Sequence, residues 1–217
     1  MPCRSPKFGY IGSNNLNIVP RRVGMKFFAT LVLAYSITAF AGEMKPLNVG
    51  ESAPSFSLKN YDGREIDLKS TLKDHKFAVV MFISTQCPVS NGYNDRMEKL
   101  YETYSGKGIA FIAVNANKAE DIQAIADHAK EHGFKFPVVK DVANKIADQY
   151  DAQVTPEIFV LNPEGKLVYH GRIDDSRNPD KVTSHDLADA LDKLIAGKEL
   201  SVTTTKAFGC SIKRMTP

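Results

Sequence analysis

The chain has 217 residues, 43% hydrophobic and 24% charged, with 14 Gly, 11 Pro and 3 Cys. These values exclude a disordered, collagen-like or coiled-coil chain. Three cysteines without a C-x-x-C pair are too few for a disulfide scaffold or a structural zinc site. A net charge of +3 raises a nucleic-acid partner, and the position of the basic residues decides whether that stands.

From Met25 the chain reads MKFFATLVLAYSITAFA, a positive start, an apolar run and then Ala39-Phe40-Ala41. That order is a secretory signal with cleavage expected after Ala41. Its apolar run is shorter than the ~20 residues a membrane span needs. Met25 is an alternative start to Met1. Arg21-Arg22 only faintly resembles a twin-arginine signal, because Gly24 stands where an apolar residue is favoured. Residues 1–41 hold five of the 28 basic residues (Arg4, Lys7, Arg21, Arg22 and Lys26) and none of the 25 acidic ones. Their removal leaves 176 residues with 23 basic against 25 acidic side chains, a net of −2. The argument for a nucleic-acid partner goes with them. Membrane contact is expected only transiently, through the signal, and the mature protein is expected in the periplasm or secreted. Cys3 goes too, leaving Cys87 and Cys210 where disulfides persist.

Residues 42–48 read as a linker, 49–200 as one domain and 201–217 as a polar tail carrying Cys210. Residues 55–58 and 65–68 flank Asn60-Tyr61-Asp62-Gly63, a hairpin signal. Residues 77–83 (FAVVMFI) and 109–114 (IAFIAV) are continuous apolar runs, as in strands buried on both faces. A helical pattern runs from Val89 toward Tyr104. Another, over 121–132, turns Ile122, Ile125, Ala126 and Ala129 to one face. Residues 136–139 suggest a short strand, and 142–149 a short helix with Ala143, Ile146 and Ala147 inward. Residues 158–161 and 167–169 flank the turn Asn162-Pro163-Glu164-Gly165. A last amphipathic helix over 185–196 is expected to be capped by Thr183 or Ser184 and ended by Gly197. This order describes an α/β sandwich with a mixed sheet and helices on both faces.

Cys87 follows a buried strand and opens a helix, so its sulfur faces unpaired backbone N–H groups, which stabilise thiolate. Pro88 suits the first helical turn. A buried inert cysteine is the alternative. The histidines (His75, His128, His132, His170, His185) are scattered and read as surface residues. His128 and His132 share a helix face without the glutamate of a zinc-protease motif. No metal site and no cofactor is expected.

The order Gly50-x-x-Ala53-Pro54-x-Phe56-x-Leu58, Asp62-Gly63, Cys87-Pro88-Val89-Ser90-Asn91 and Val154-Thr155-Pro156 resembles the redoxin, AhpC/TSA-like branch of the thioredoxin superfamily. Gly171-Arg172-x-Asp174-Asp175-Ser176-Arg177 and Gly209-Cys210-Ser211-Ile212-Lys213 bring it closer to the peroxiredoxin-like group. The resemblance covers about residues 49–213. It implies a thioredoxin fold, three-layer α/β/α with a mixed central sheet, an N-terminal β-hairpin extension and a C-terminal tail. It also implies a cis Pro156 beside the Cys87 turn, with Thr155 presenting its backbone to an extended substrate. Thr85, Pro88, Ser90 and Arg172 are the candidate supporting residues around Cys87; Arg172 would favour thiolate if it lay near, the alternative being a salt-bridged surface loop over residues 172–177.

The chain departs from two patterns of that superfamily. Ser90 occupies the place of the second cysteine of a dithiol Cys-x-x-Cys and cannot resolve a mixed disulfide. The Pro-x-x-x-Thr-x-x-Cys of a peroxiredoxin is absent, Val80 and Ser84 standing at its first two places before Cys87. The expectation is an exported thiol–disulfide oxidoreductase acting through Cys87 on protein or small-molecule thiols and disulfides. Cys210 is either the resolving partner or half of a static staple. The alternatives are a thiol peroxidase acting on peroxides, and a catalytically idle fold binding peptides along Thr155-Pro156.

Overall fold

A computed structural model describes residues 46–215; the expected signal at 25–41 lies outside them. Strands β1 (Ser57–Lys59) and β2 (Glu65–Asp67) form the expected hairpin, with Gly63 at φ +85° in its turn. The apolar pattern extends the second strand to Leu68, but the structure ends it at Asp67. The Asp67 carboxylate accepts the Ser70 N–H at 2.7 Å and caps a helix absent from the sequence expectation, α1 (Leu68–Asp74).

Strand β3 (Phe77–Ile83) is the centre of the molecule. It pairs in parallel with β4 (Ile109–Asn115) and antiparallel with β7 (Glu157–Leu161). With β5 (Val138–Lys140) outside β4 and β8 (Leu167–Gly171) outside β7, the mixed five-stranded order is β5-β4-β3-β7-β8. Successive strand side chains point to opposite faces, so β3 builds two cores. Val79, Met81 and Ile83 meet Met97, Ile125, Leu187 and Leu191 on one side. Ala78, Val80 and Phe82 meet Leu68, Leu72, Ile146 and Ala147 on the other. Each large apolar side chain so buried contributes about 1.5–3 kcal/mol. Helices therefore cover both faces, α3 (Asn94–Tyr104), α4 (Ile122–Glu131) and α6 (Asp186–Ile195) on one, α1 and α5 (Lys145–Gln149) on the other. This is the expected three-layer α/β/α sandwich.

Several local expectations are corrected. The helix expected from Val89 to Tyr104 is two pieces, α2 (Pro88–Asn91) and α3, separated at Gly92-Tyr93. The Arg177 stem lies over Gly92, where a Cβ would come within 2.7 Å of its Cγ. Ile122 is exposed because it opens α4 after its cap, Asp121, whose side chain accepts the Ala124 N–H at 2.8 Å. Ala143 is exposed too. Ala143 and Asn144 take φ of +63° and +60°, so the helix begins only at Lys145, where Asp141 Oδ2 accepts the N–H groups of Ile146 and Ala147. Neither Thr183 nor Ser184 caps α6, because their hydroxyls donate to Asp175 Oδ2 and Asp186 Oδ1 instead of accepting a helix N–H. Gly197, at φ +66°, follows the end of α6 as expected.

Candidate active site

The carboxyl ends of the parallel strands β3 and β4 bring two loops together, and the cysteine stands on the first. Beyond Ile83 the chain turns sharply: Ser84 Oγ accepts the N–H of Cys87 at 3.0 Å and that of Gln86 at 3.2 Å. Cys87 is then the N-cap of α2, Pro88 fills the first helical position, and Ser90 donates its N–H to Cys87 Sγ at 3.3 Å. Ser90 Oγ accepts the Ser84 N–H at 3.3 Å, so this serine ties the turn from inside.

Beneath the turn lies Glu120, 1% exposed. Its Oε1 accepts from Ser84 Oγ at 2.5 Å and Asn117 Nδ2 at 2.7 Å. Its Oε2 accepts from Thr85 N at 2.7 Å, Thr85 Oγ1 at 2.9 Å and Asn115 Nδ2 at 2.5 Å. Burial works to raise its pKa, but these donors outweigh burial and hold it below the ordinary carboxylate value. Lys140 completes the nest, donating to Asn115 Oδ1 at 3.2 Å and to the Asn117 carbonyl at 2.5 Å.

On the other side of the sulfur, the Thr155-Pro156 bond is cis, as the resemblance implies. Cys87 Sγ donates to the Thr155 carbonyl at 3.3 Å. Strand β6 (Val154–Thr155) is not open: β9 (Cys210–Ser211) pairs antiparallel with it, Thr155 opposite Cys210 and Val154 opposite Ser211. The tail reaches this point along β8, exchanging backbone hydrogen bonds between His170 and both Thr203 and Thr205. Phe208 packs edge-on to Tyr93 with ring centroids 6.4 Å apart. Gly209 then crosses Thr155 so closely that a Cβ would lie 1.9 Å from the Thr155 oxygen. Past Cys210 the tail is held by Ile212 N–H on the Gln153 carbonyl and Lys213 N–H on Asn117 Oδ1.

Cys87 and Cys210 are both free thiols. Burial works to raise the Cys87 pKa, but the polar groups of Cys210 and Thr155 beside it and the Ser90 N–H hold it below its ordinary value. The neighbouring Cys87 side chain, and burial, raise that of Cys210. The two acidities are thus shifted in opposite directions, Cys87 down and Cys210 up. A cleft of about 200 Å³ opens beside both sulfurs, lined by Gln86, Asn117, Ala119 and Lys213 among others.

A sequence model of the AhpC/TSA family matches residues 49–170. The chain belongs to this family. Among curated relatives, the thiol-disulfide oxidoreductase ResA of Bacillus subtilis (strain 168) is 32% identical over 149 residues, 68% of this chain and 80% of that protein. ResA of Halalkalibacterium halodurans is 30% identical over 68% of this chain and 82% of its own. A solved hypothetical protein from Sinorhizobium meliloti 1021 superposes with a TM-score of 0.75 at 33% identity, covering 80% of this chain and 98% of that one. The thioredoxin domain of a Bacteroides vulgatus thiol-disulfide oxidoreductase, 20% identical over 69% of this chain and 99% of that one, superposes with a TM-score of 0.56 and shares the thioredoxin fold.

In this AhpC/TSA chain the structure gathers Cys87, Cys210, Thr155, Pro156, Pro88 and Ser90 at one point. Thr85 stands in the same turn, with its hydroxyl on Glu120. Arg172 is engaged elsewhere: its Nε bonds Asp186 Oδ2 at 2.7 Å. His128 is no surface residue. It is buried, its Nε2 lying 3.2 Å from both Asn91 Oδ1 and Asn94 Nδ2, and burial and neighbouring His132 lower its pKa. Asn91 Nδ2 in turn donates to the Thr85 carbonyl at 2.8 Å, linking His128 to the cysteine turn. Glu120, Asn115 and Asn117 escape the sequence reading. Their one signal is two asparagines and a glutamate directly after a buried parallel strand, the edge where α/β sites form.

Proposed function

We propose that this protein is an exported thiol–disulfide oxidoreductase in which Cys87 attacks and Cys210 resolves. The Cys87 thiolate attacks one sulfur of a disulfide, forming a mixed disulfide and expelling the other half as a thiolate. Cys210, losing its proton, then attacks Cys87 Sγ, closing Cys87–Cys210 and releasing the second half. Two electrons pass from the protein thiols to the substrate, and an external thiol reductant restores them. Export rests on the sequence pattern of Met25 to Ala41, and substrate type on the names of the relatives. The observation that carries the reading is that β9 sets Cys210 opposite Thr155, whose carbonyl Cys87 Sγ touches, so that two reduced thiols line one cleft with their acidities pushed apart in the direction exchange requires. Ser90 has its backbone and hydroxyl bonded within the turn and takes no part in resolution.

The test is the intact mass and thiol count of mature wild type, Cys87→Ser and Cys210→Ser before and after oxidised glutathione or peroxide. Wild type is expected to lose two thiols without gaining mass. Cys210→Ser should stop at a glutathione adduct on Cys87, and Cys87→Ser should stay unchanged. A Cys210→Ser protein that turns over like wild type overturns the pairing. Thiol-dependent consumption of peroxide, with no reaction toward disulfides, overturns the substrate.

A further inference from the structure

Beside Cys87 Sγ the chain offers one extended backbone segment, residues 153–155, and its polar groups are already engaged. Gln153 and Val154 give their N–H groups to Glu157 Oε2 at 2.7 and 3.0 Å. The Gln153 carbonyl accepts the Ile212 N–H at 2.9 Å, and the Thr155 carbonyl accepts from Cys87. Strand β9 occupies the edge itself and sets Cys210 opposite Thr155. The tail therefore demonstrates how an extended chain delivers a sulfur to Cys87, and by the same contact denies that place to any other chain. The tail is also fastened away from the sulfurs: Thr205 Oγ1 bonds the Tyr169 hydroxyl at 2.9 Å and accepts the Arg172 N–H at 3.0 Å. What stays open is the cleft of about 200 Å³ beside both sulfurs, room for the disulfide-bearing part of a small molecule whose remainder lies in solvent.

We infer that the tail makes this protein selective for small-molecule disulfides, admitted through the cleft lined by Gln86, Asn117 and Lys213, and that it bars disulfides carried on protein chains by filling the β6 edge itself. The inference rests on the exchange chemistry proposed above and adds the substrate class. A small disulfide reaches Cys87 without backbone pairing. A disulfide on a protein chain must first strip β9 from β6, losing the pairing at Thr155 and Val154 and withdrawing Cys210 from the sulfur it resolves.

The decisive residue is Gly209. Any side chain there meets Thr155 oxygen and carbon at 1.9 and 2.7 Å, backbone atoms that cannot swing aside. Gly209→Ala therefore lifts the tail while leaving every group bonded to Cys87 from its own turn. A second variant, Thr205→Ala with Phe208→Ala, loosens the tail at two points ahead of its pairing with β6. Each full-length protein is reacted, reduced, with oxidised glutathione and with insulin, and the rate of the first exchange at Cys87 is read by mass. Wild type is expected to react with glutathione disulfide and hardly with insulin. The ratio of insulin to glutathione-disulfide rates should rise about tenfold in the variants. An unchanged ratio in both folded variants, or a wild type that reduces insulin as fast as they do, overturns the inference. If neither disulfide reacts with any of the three proteins, the failure belongs to the exchange chemistry rather than to the tail.

Discussion

Cys87 and Cys210 reach the same point from differently built parts of the chain. The Cys87 turn sits on a strand with no solvent exposure over most of its length, and under it a buried carboxylate accepts five hydrogen bonds from Ser84, Thr85, Asn115 and Asn117. Cys210 rides on a two-residue strand at the end of a tail that is half-exposed along much of its length. The first arrangement fixes a sulfur from beneath; the second holds one by the pairing of β9 with β6 and by the bonds of Thr205, Ile212 and Lys213. Opening free energies differ within a protein in this way, low where few apolar contacts hold a segment and high in the core. In the proposed exchange the attacking thiol benefits from the rigid turn, and the resolving thiol must move from a non-covalent contact to a covalent bond.

The sharpest way to break this contrast is to remove the support of the rigid side. In Glu120→Gln the amide nitrogen must face an asparagine donor whichever way it turns, since each carboxylate oxygen accepts from at least one. We expect a loss of about 2–4 kcal/mol in urea unfolding. Glu120's pKa in the folded protein lies below its ordinary value. The stability it confers is therefore whole above about pH 4.3 and is lost as pH falls through the folded value, so the variant should lack that part of the acid dependence. A loss below about 0.5 kcal/mol would mean that the network does not hold the turn.

A smaller effect is expected from the loose side. Cys210→Ala removes the thiol beside Cys87, so the Cys87 pKa should rise toward its ordinary value. The wild-type thiolate, read by its ultraviolet absorbance, should then form at lower pH than the variant's. Global stability should change little, and coincident titrations would separate the two cysteines after all. The smallest effect is expected of Arg172→Ala. Its ion pair with Asp186 is partly exposed, so we expect at most about 1 kcal/mol in stability and no movement of the Cys87 titration. A shifted titration would show that charge at that distance matters.

Local chemistry made much of the site legible. A cysteine and a proline after FAVVMFI, and Thr155-Pro156 ahead of another apolar strand, are signals carried within a few residues, and the structure sets them side by side. Glu120 carried no such signal, because a single glutamate between loop residues looks like any solvated charge. Only the convergence of Ser84, Thr85, Asn115 and Asn117 around it makes it a buried anion. His128 was misplaced for a related reason: its helix face is apolar on one side only, and Asn91 and Asn94 come to it from elsewhere. The motif left Arg172 two places, beside Cys87 or in a salt-bridged loop, and its bond to Asp186, fourteen residues on, fits the second.

Sequence alone determined the continuous apolar run that buries both faces of β3, the hairpins at Asp62-Gly63 and Asn162-Pro163-Glu164-Gly165, and the thiol at the head of α2. It also determined that the basic residues of the first 41 are what give the chain its charge of +3. These are local properties, set by side-chain period, turn chemistry and composition. Tertiary structure alone decided where the tail lies. Cys87 and Cys210 are separated by most of the domain, and no local rule places the second on the edge of β6. The register Thr155 opposite Cys210, and the glycine that lets the two backbones cross, exist only once the sheet has formed.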